Sequence, residues 1–163
     1  LKEADTRQLC KLYLERANNE LDLAILLFEL SRNPEKQKSI SARMTKRRTF
    51  YSAVITHRYY SIFYVTKAYL MTKSVRTKAP NEHKKTFEAF KTYVDEGIID
   101  AELLYIYEDE LVKAKELLSM YKRERTKRGD YTYKTLPQAN QKPARTSMKN
   151  AEHFMKHLIA LTS

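Results

Sequence analysis

Glycine and proline are scarce in this chain, with two Gly and four Pro among 163 residues. A fold of many tight turns needs more of both, so a β-sandwich or barrel gives way to long uninterrupted helices. Cysteine occurs once, at Cys10, and tryptophan not at all. A lone cysteine excludes an intramolecular disulfide framework and a cysteine-rich zinc site, and it suits a reducing compartment. With no recognisable secretory leader, a cytoplasmic location is expected. Two glycines leave little material for a phosphate-cradling glycine-rich loop. No Ser or Cys stands in a nucleophile turn. His153 and His157 are four apart but lack an obvious third ligand, so neither a metal nor a cofactor is expected.

Acid is missing from one long segment. Lys36–Asn81 carries eleven Lys and Arg and no Asp or Glu, within a chain of net charge +11. Met120–Lys149 adds nine bases against Glu124 and Asp130, while the remainder has eleven bases and eighteen acids. A basic surface joined to an acidic remainder suggests a polyanion partner, most simply RNA or a nucleotide. Solubility, or an acidic partner protein, is the plainer reading of the same charges.

Within that acid-free segment lies Tyr51–Met71, YSAVITHRYYSIFYVTKAYLM, whose only full charges are Arg58 and Lys67. At about 100° per residue its apolar and aromatic side chains fall on every side of a helix. Such a helix must be covered by neighbours, which makes it the centre of an all-α, up-and-down bundle of four to five helices. His57, Arg58 and Lys67 break the run too often for a membrane span, so no membrane partner is expected.

The length suits one domain, residues 1–163. A first helix is predicted from Glu3 to Leu30 on the spacing of Leu9, Leu12, Tyr13, Ala17, Leu21, Ala24, Ile25 and Phe28, ending at Asn33-Pro34. Residues 34–46 read as a loop or arm, and Lys46-Arg47-Arg48 as the solvent side of the opening of the central helix. A third helix is expected over Glu82–Val94, with His83 at its start in a capping or packing role. Gly97 ends it and Asp100 caps the fourth helix. There Leu104, Tyr107, Leu111, Ala114, Leu118 and Tyr121 form an inward seam, while Glu108-Asp109-Glu110 reads as a solvated face. The seam's spacing continues onto Arg125 and Arg128. A polar loop over 132–146 precedes a last helix, about Ser147–Leu161.

The chemistry concentrates in Arg123-Glu124-Arg125-Thr126-Lys127-Arg128-Gly129-Asp130-Tyr131-Thr132-Tyr133. Arginine binds phosphate bidentately, and tyrosine stacks on a base or exchanges a proton. A basic helix C-terminus followed by a tyrosine-rich turn is the bland alternative. Arg123, Lys127, Arg128, Tyr133, Arg58, Arg47 and Arg48 are the candidate phosphate or nucleic-acid contacts.

These residues, with Arg58-Tyr59-Tyr60-Ser61-Ile62-Phe63-Tyr64, His83-Lys84-Lys85 after the next connector, and Gly129-Asp130-Tyr131 after the arginines, resemble the HEPN family (higher eukaryotes and prokaryotes nucleotide-binding domain). The resemblance implies a helical bundle that is commonly a homodimer, with the arginine-bearing end of the fourth helix at the subunit interface. It also implies a metal-independent endoribonuclease using an Arg and a His, often a toxin silenced by a nucleotidyltransferase antitoxin that modifies a nearby tyrosine. Carried onto this chain, Arg125 would hold phosphate, and Asp130 or Tyr131 falls where the His stands. A carboxylate, with a reference pKa of about 3.9, is a poor acid at neutral pH, and a phenol, near 10, a poor base. Catalysis by Arg125, Asp130 and Tyr131 therefore stays open against a non-catalytic nucleotide- or nucleic-acid-binding dimer and a structural subunit.

Overall fold

A computed structural model describes residues 3–43, 47–126 and 141–162; for Glu3 and for 118–126 it describes the backbone alone. The described residues form six helices and no strand: α1 Glu3–Arg32, α2 Pro34–Ile40, α3 Tyr51–Thr72, α4 Glu82–Asp95, α5 Ala101–Thr126 and α6 Gln141–Ala160. The all-α bundle expected from the sequence is the observed one. None of these helices is long and apolar enough to cross a membrane.

α3 is the central element. Fifteen of its 22 residues are buried, which an apolar surface on all sides requires. It packs on α1, α4, α5 and α6, most extensively on α1. Phe28 meets the Tyr51 ring edge-on at 5.9 Å, while Tyr13 stacks on Tyr64 at 6.4 Å, so α1 and α3 run antiparallel. Leu117 of α5 and Ala144 of α6 join Tyr51, Val54 and Ile55 in one apolar cluster. Further along, Tyr107 of α5 packs edge-on against Phe154 of α6 at 5.9 Å. α5 therefore descends beside α3 and α6 rises again. The four long helices make the up-and-down bundle, and α4 lies across its flank with Phe90 on Tyr107 and Phe154.

The helix boundaries follow local signals. Gly97 adopts φ +73°, and Ile98 donates back to the Tyr93 carbonyl at 3.0 Å, closing α4. Asp100 Oδ1 accepts from the Glu102 amide at 2.9 Å at the start of α5. Two boundaries depart from expectation. Residues 34–40 are helical where a loop or arm was expected, because Asn33 Oδ1 caps the Lys36 amide at 3.0 Å and Pro34 stands at the first turn. The last helix starts at Gln141, so 141–146 of the expected loop is helical, and 132–140 lies outside the described residues.

Arg47 and Arg48 do not open α3; they precede it in non-helical backbone. Buried Gln37 holds that backbone in place. Its Nε2 donates to the carbonyls of Leu30 at 2.6 Å and Arg48 at 2.7 Å, and its Oε1 accepts from the Arg48 amide at 3.0 Å. Ser31 Oγ accepts from the Phe50 amide at 2.7 Å, completing the join between α1, α2 and the start of α3.

Candidate nucleic-acid interface and aromatic cleft

The cluster of Phe28, Tyr51, Leu117 and Ala144 defines one end of the bundle, where α1 and α5 run out and α3 and α6 begin. Base collects there. Arg43, Arg47 and Arg48 precede α3, and Lys142, Arg145 and Lys149 occupy the first half of α6, all exposed. None of these six makes an ion pair with another described residue. Lys36 and Lys38 at the same end are paired with Glu29 and Glu35 at 3.4 and 3.6 Å, but these pairs are exposed and weak. Phe50, the N-cap of α3, offers no side-chain acceptor, and the first turn has no acid. The positive dipole ends of α3 and α6 are offset there by the negative ends of α1 and α5, so the positive charge of this end comes from its side chains.

The sequence candidates distribute unevenly over this frame. Arg47 and Arg48 lie on the basic end. Arg123 and Arg125 lie on the last turns of α5, which continues about 12 Å past Leu117 to reach Arg125 at 1.5 Å per residue; their side chains are outside the description. Lys127, Arg128, Asp130, Tyr131 and Tyr133 fall outside the described residues.

Arg58 is a correction. It is fully buried, so it is not a surface contact for phosphate. A helix covered on every side must take its own cations inside. Its Nη2 lies 3.6 Å from Glu152 Oε1, and no guanidinium nitrogen makes a hydrogen bond among the described residues. Burial pushes its pKa below the ordinary value, while the carboxylates of Glu152, Glu110 and Asp22 act to raise it.

Glu110 is the second correction, being buried where a solvated face was expected. It stands three residues after Tyr107 and four before Ala114, on the inward line of α5. Its Oε1 accepts from Lys113 at 3.0 Å and from Asn150 Nδ2 at 3.1 Å. Burial acts to lower the Lys113 pKa, but the Asp109 and Glu110 carboxylates outweigh it and hold the ammonium above its usual value. His153 and His157 have ring centroids 4.2 Å apart, and no metal-capable group of three or more His, Cys, Asp or Glu is found among the described residues.

A cleft the sequence did not show opens between α3, α4 and α5. Its volume is about 210 Å³, and Thr56, Tyr59, Tyr60, His83, Leu111, Ala114 and Lys115 line it. His83 stacks on Phe63 with centroids 4.0 Å apart, and its Nδ1 is 2.7 Å from Tyr59 Oη. Burial, and then the neighbouring Tyr60, push the Tyr59 phenol pKa far above its ordinary value, so it stays protonated. That phenol and Nδ1 share one hydrogen bond, whose donor is set by the imidazole tautomer, and the bond fixes the ring orientation. Burial lowers the His83 pKa, as does Lys67 to a lesser degree, against the opposing pull of Glu82. Lys67, itself nearly buried, is ion-paired to Glu82 and sits 4.5 Å over the Tyr13 ring. Of the two expected roles His83 takes packing, since the N-cap of α4 is Asn81 and no side chain bonds there. Its partner on α3 is 24 residues away in sequence, so no local pattern could disclose the pair.

No protein-family model, curated protein or solved structure matches the chain.

Proposed function

We propose that this chain is an RNA-engaging helical module of the HEPN kind, gripping the phosphate backbone with the basic end of its bundle. Arg47, Arg48, Arg123 and Arg125 are its main contacts, with Lys127, Arg128 and Tyr133 following them in the chain. What carries the reading is the convergence on one end of unpaired exposed bases from the α3 approach and from α6, at the end to which the α5 C-terminus extends. The Gln37 clamp adds preorganisation: the Arg47-Arg48 backbone is held before any ligand arrives, so less ordering entropy is lost on binding. In this reading the chain works as a homodimer, with a nucleotidyltransferase antitoxin as a partner. Strand scission, if it occurs, uses Arg125 with Asp130 or Tyr131 and no metal.

The test is binding and cleavage of labelled single-stranded RNA in EDTA. Log affinity should fall linearly with log salt by about 0.7 per phosphate contacted, and replacing Arg47 and Arg48 together with Ala should flatten that slope by about 1.4. Arg125→Ala should weaken binding and abolish any cutting. Salt-independent binding, or binding untouched by all three substitutions, sinks the reading. Salt-sensitive binding without cutting favours the non-catalytic form, for which the absence of a His near Arg125 already speaks.

A further inference from the structure

The cleft between α3, α4 and α5 has the composition of a receptor for one flat ring. Three of its seven lining side chains are rings, Tyr59, Tyr60 and His83. Leu111 and Ala114 give it apolar walls, Thr56 adds a hydroxyl, and exposed Lys115 stands at the mouth. At about 210 Å³ it is smaller than the roughly 300–1,000 Å³ of sites for drug-sized ligands, which limits the occupant to a single ring system.

The polar groups narrow the chemistry further. His83 is fixed by Tyr59 through Nδ1, which leaves its Nε2 with no hydrogen-bond partner among the described residues. The Tyr60 hydroxyl also makes no hydrogen bond among them, although the ring is only half-buried. A ring-shaped occupant therefore meets two uncommitted polar groups at its edge and aromatic surface at its face. The ammonium of Lys115 favours an anionic substituent on that ring. A nucleobase carrying a phosphate has all three features.

Lys115 and Arg125 lie on the same helix, ten residues and about 15 Å apart along its axis. A strand held at the basic end can therefore reach the cleft within a few nucleotides.

We infer that this cleft holds one unpaired nucleobase, with Tyr60 and His83 contacting the ring and Lys115 its phosphate. The strand form of the inference rests on the RNA-engaging reading above; the cleft's affinity for a nucleotide does not.

Two probes separate the sources: adenosine and uridine monophosphates followed by calorimetry, and a fluorescent single-stranded oligonucleotide followed by anisotropy beside its abasic counterpart. Wild type should bind the normal oligonucleotide between about 5-fold and about 100-fold more tightly than the abasic one, the range of a lost base–aromatic stack. Tyr60→Ala should erase that difference while keeping the salt slope, and Tyr60→Phe should keep most of it. A monophosphate bound by wild type and lost in Tyr60→Ala supports the same pocket for a free nucleotide. Equal affinity for normal and abasic strands, with no monophosphate bound, overturns the cleft but leaves the RNA-engaging reading standing. If no strand binds yet a monophosphate does, the cleft stands and that reading falls. The abasic comparison uses wild-type protein, so it decides even if Tyr60→Ala fails to fold.

Discussion

Removing an arginine from water costs several kcal/mol, and the carboxylates around it must offset that cost. Arg58 meets the condition through charge more than hydrogen bonding. Glu152, Glu110 and Asp22 come to it from three different helices. Only Glu110 among them is buried, and it keeps Lys113 and Asn150 as partners, whereas Glu152 and Asp22 are exposed. Losing Arg58 therefore removes an attraction shared by α1, α5 and α6 more than it strands a buried charge. Arg58 could not be read as interior from the sequence, whereas the spacing of Glu110 from Tyr107 and Ala114 did place it on the inward line despite its charge. A charged letter on a helix says nothing of its partners, and these partners lie far apart along the chain. His83 yields a sharper consequence. Its pKa in the folded protein is lowered, chiefly by burial, below the unfolded value of about 6.5. As pH falls through that value the unfolded chain takes up the proton first, so His83 contributes stability above about pH 6.5 and loses it below. Following the His83 ring resonances by NMR from pH 8 to pH 4 should give a midpoint under about 6.5. A midpoint above that value would mean that Glu82 outweighs burial.

At the scale of elements, the long helices were legible because their apolar residues recur at the helical period and their ends carry Gly97, Asp100 or Asn33-Pro34. α3 was legible for the opposite reason, having no polar side at all. α2 was not. It has seven residues, and the single buried one is Gln37, which leaves no apolar periodicity to detect. The Asn33 cap and Pro34 start it, and tertiary hydrogen bonding holds it in place. Three bonds run from the Gln37 amide to the backbone of Leu30 and Arg48, and each contributes about 1 kcal/mol net. Gln37→Ala should therefore lower global stability by roughly 1–3 kcal/mol, since it also leaves buried backbone groups unsatisfied. Hydrogen exchange at the Arg48 amide should speed up more than exchange in the middle of α3. An Arg48 amide equally protected in the variant would show that the segment is held from elsewhere.

Over the whole molecule, charge is sorted more sharply than folding requires. Arg43, Arg47, Arg48, Lys142, Arg145 and Lys149 share one end with no ion-pair partner among the described residues. Two exposed pairs do sit at that end, Glu29 with Lys36 and Glu35 with Lys38, at 3.4 and 3.6 Å. The closer pairs lie elsewhere: Glu82 with Lys67, Asp109 and Glu110 with Lys113, and Glu20 with His57 at 2.5 Å. Like charges held together in the native state repel, and folding brings them closer than the unfolded chain does. Salt should act oppositely on the two sets. Raising NaCl from about 0.1 M to about 1 M shortens the screening length from about 10 Å to about 3 Å. The exposed basic end lies open to that screening, whereas the Lys67 and Lys113 pairs are partly shielded by burial. The melting temperature should therefore rise, by about 2–4 °C for each kcal/mol of repulsion relieved in a chain of this size. A fall over the same range would mean that the paired carboxylates, and not the unpaired arginines and lysines, dominate the electrostatics of the fold. It would also remove the argument that the basic end is kept charged at a cost in stability, the cost an anionic strand would relieve.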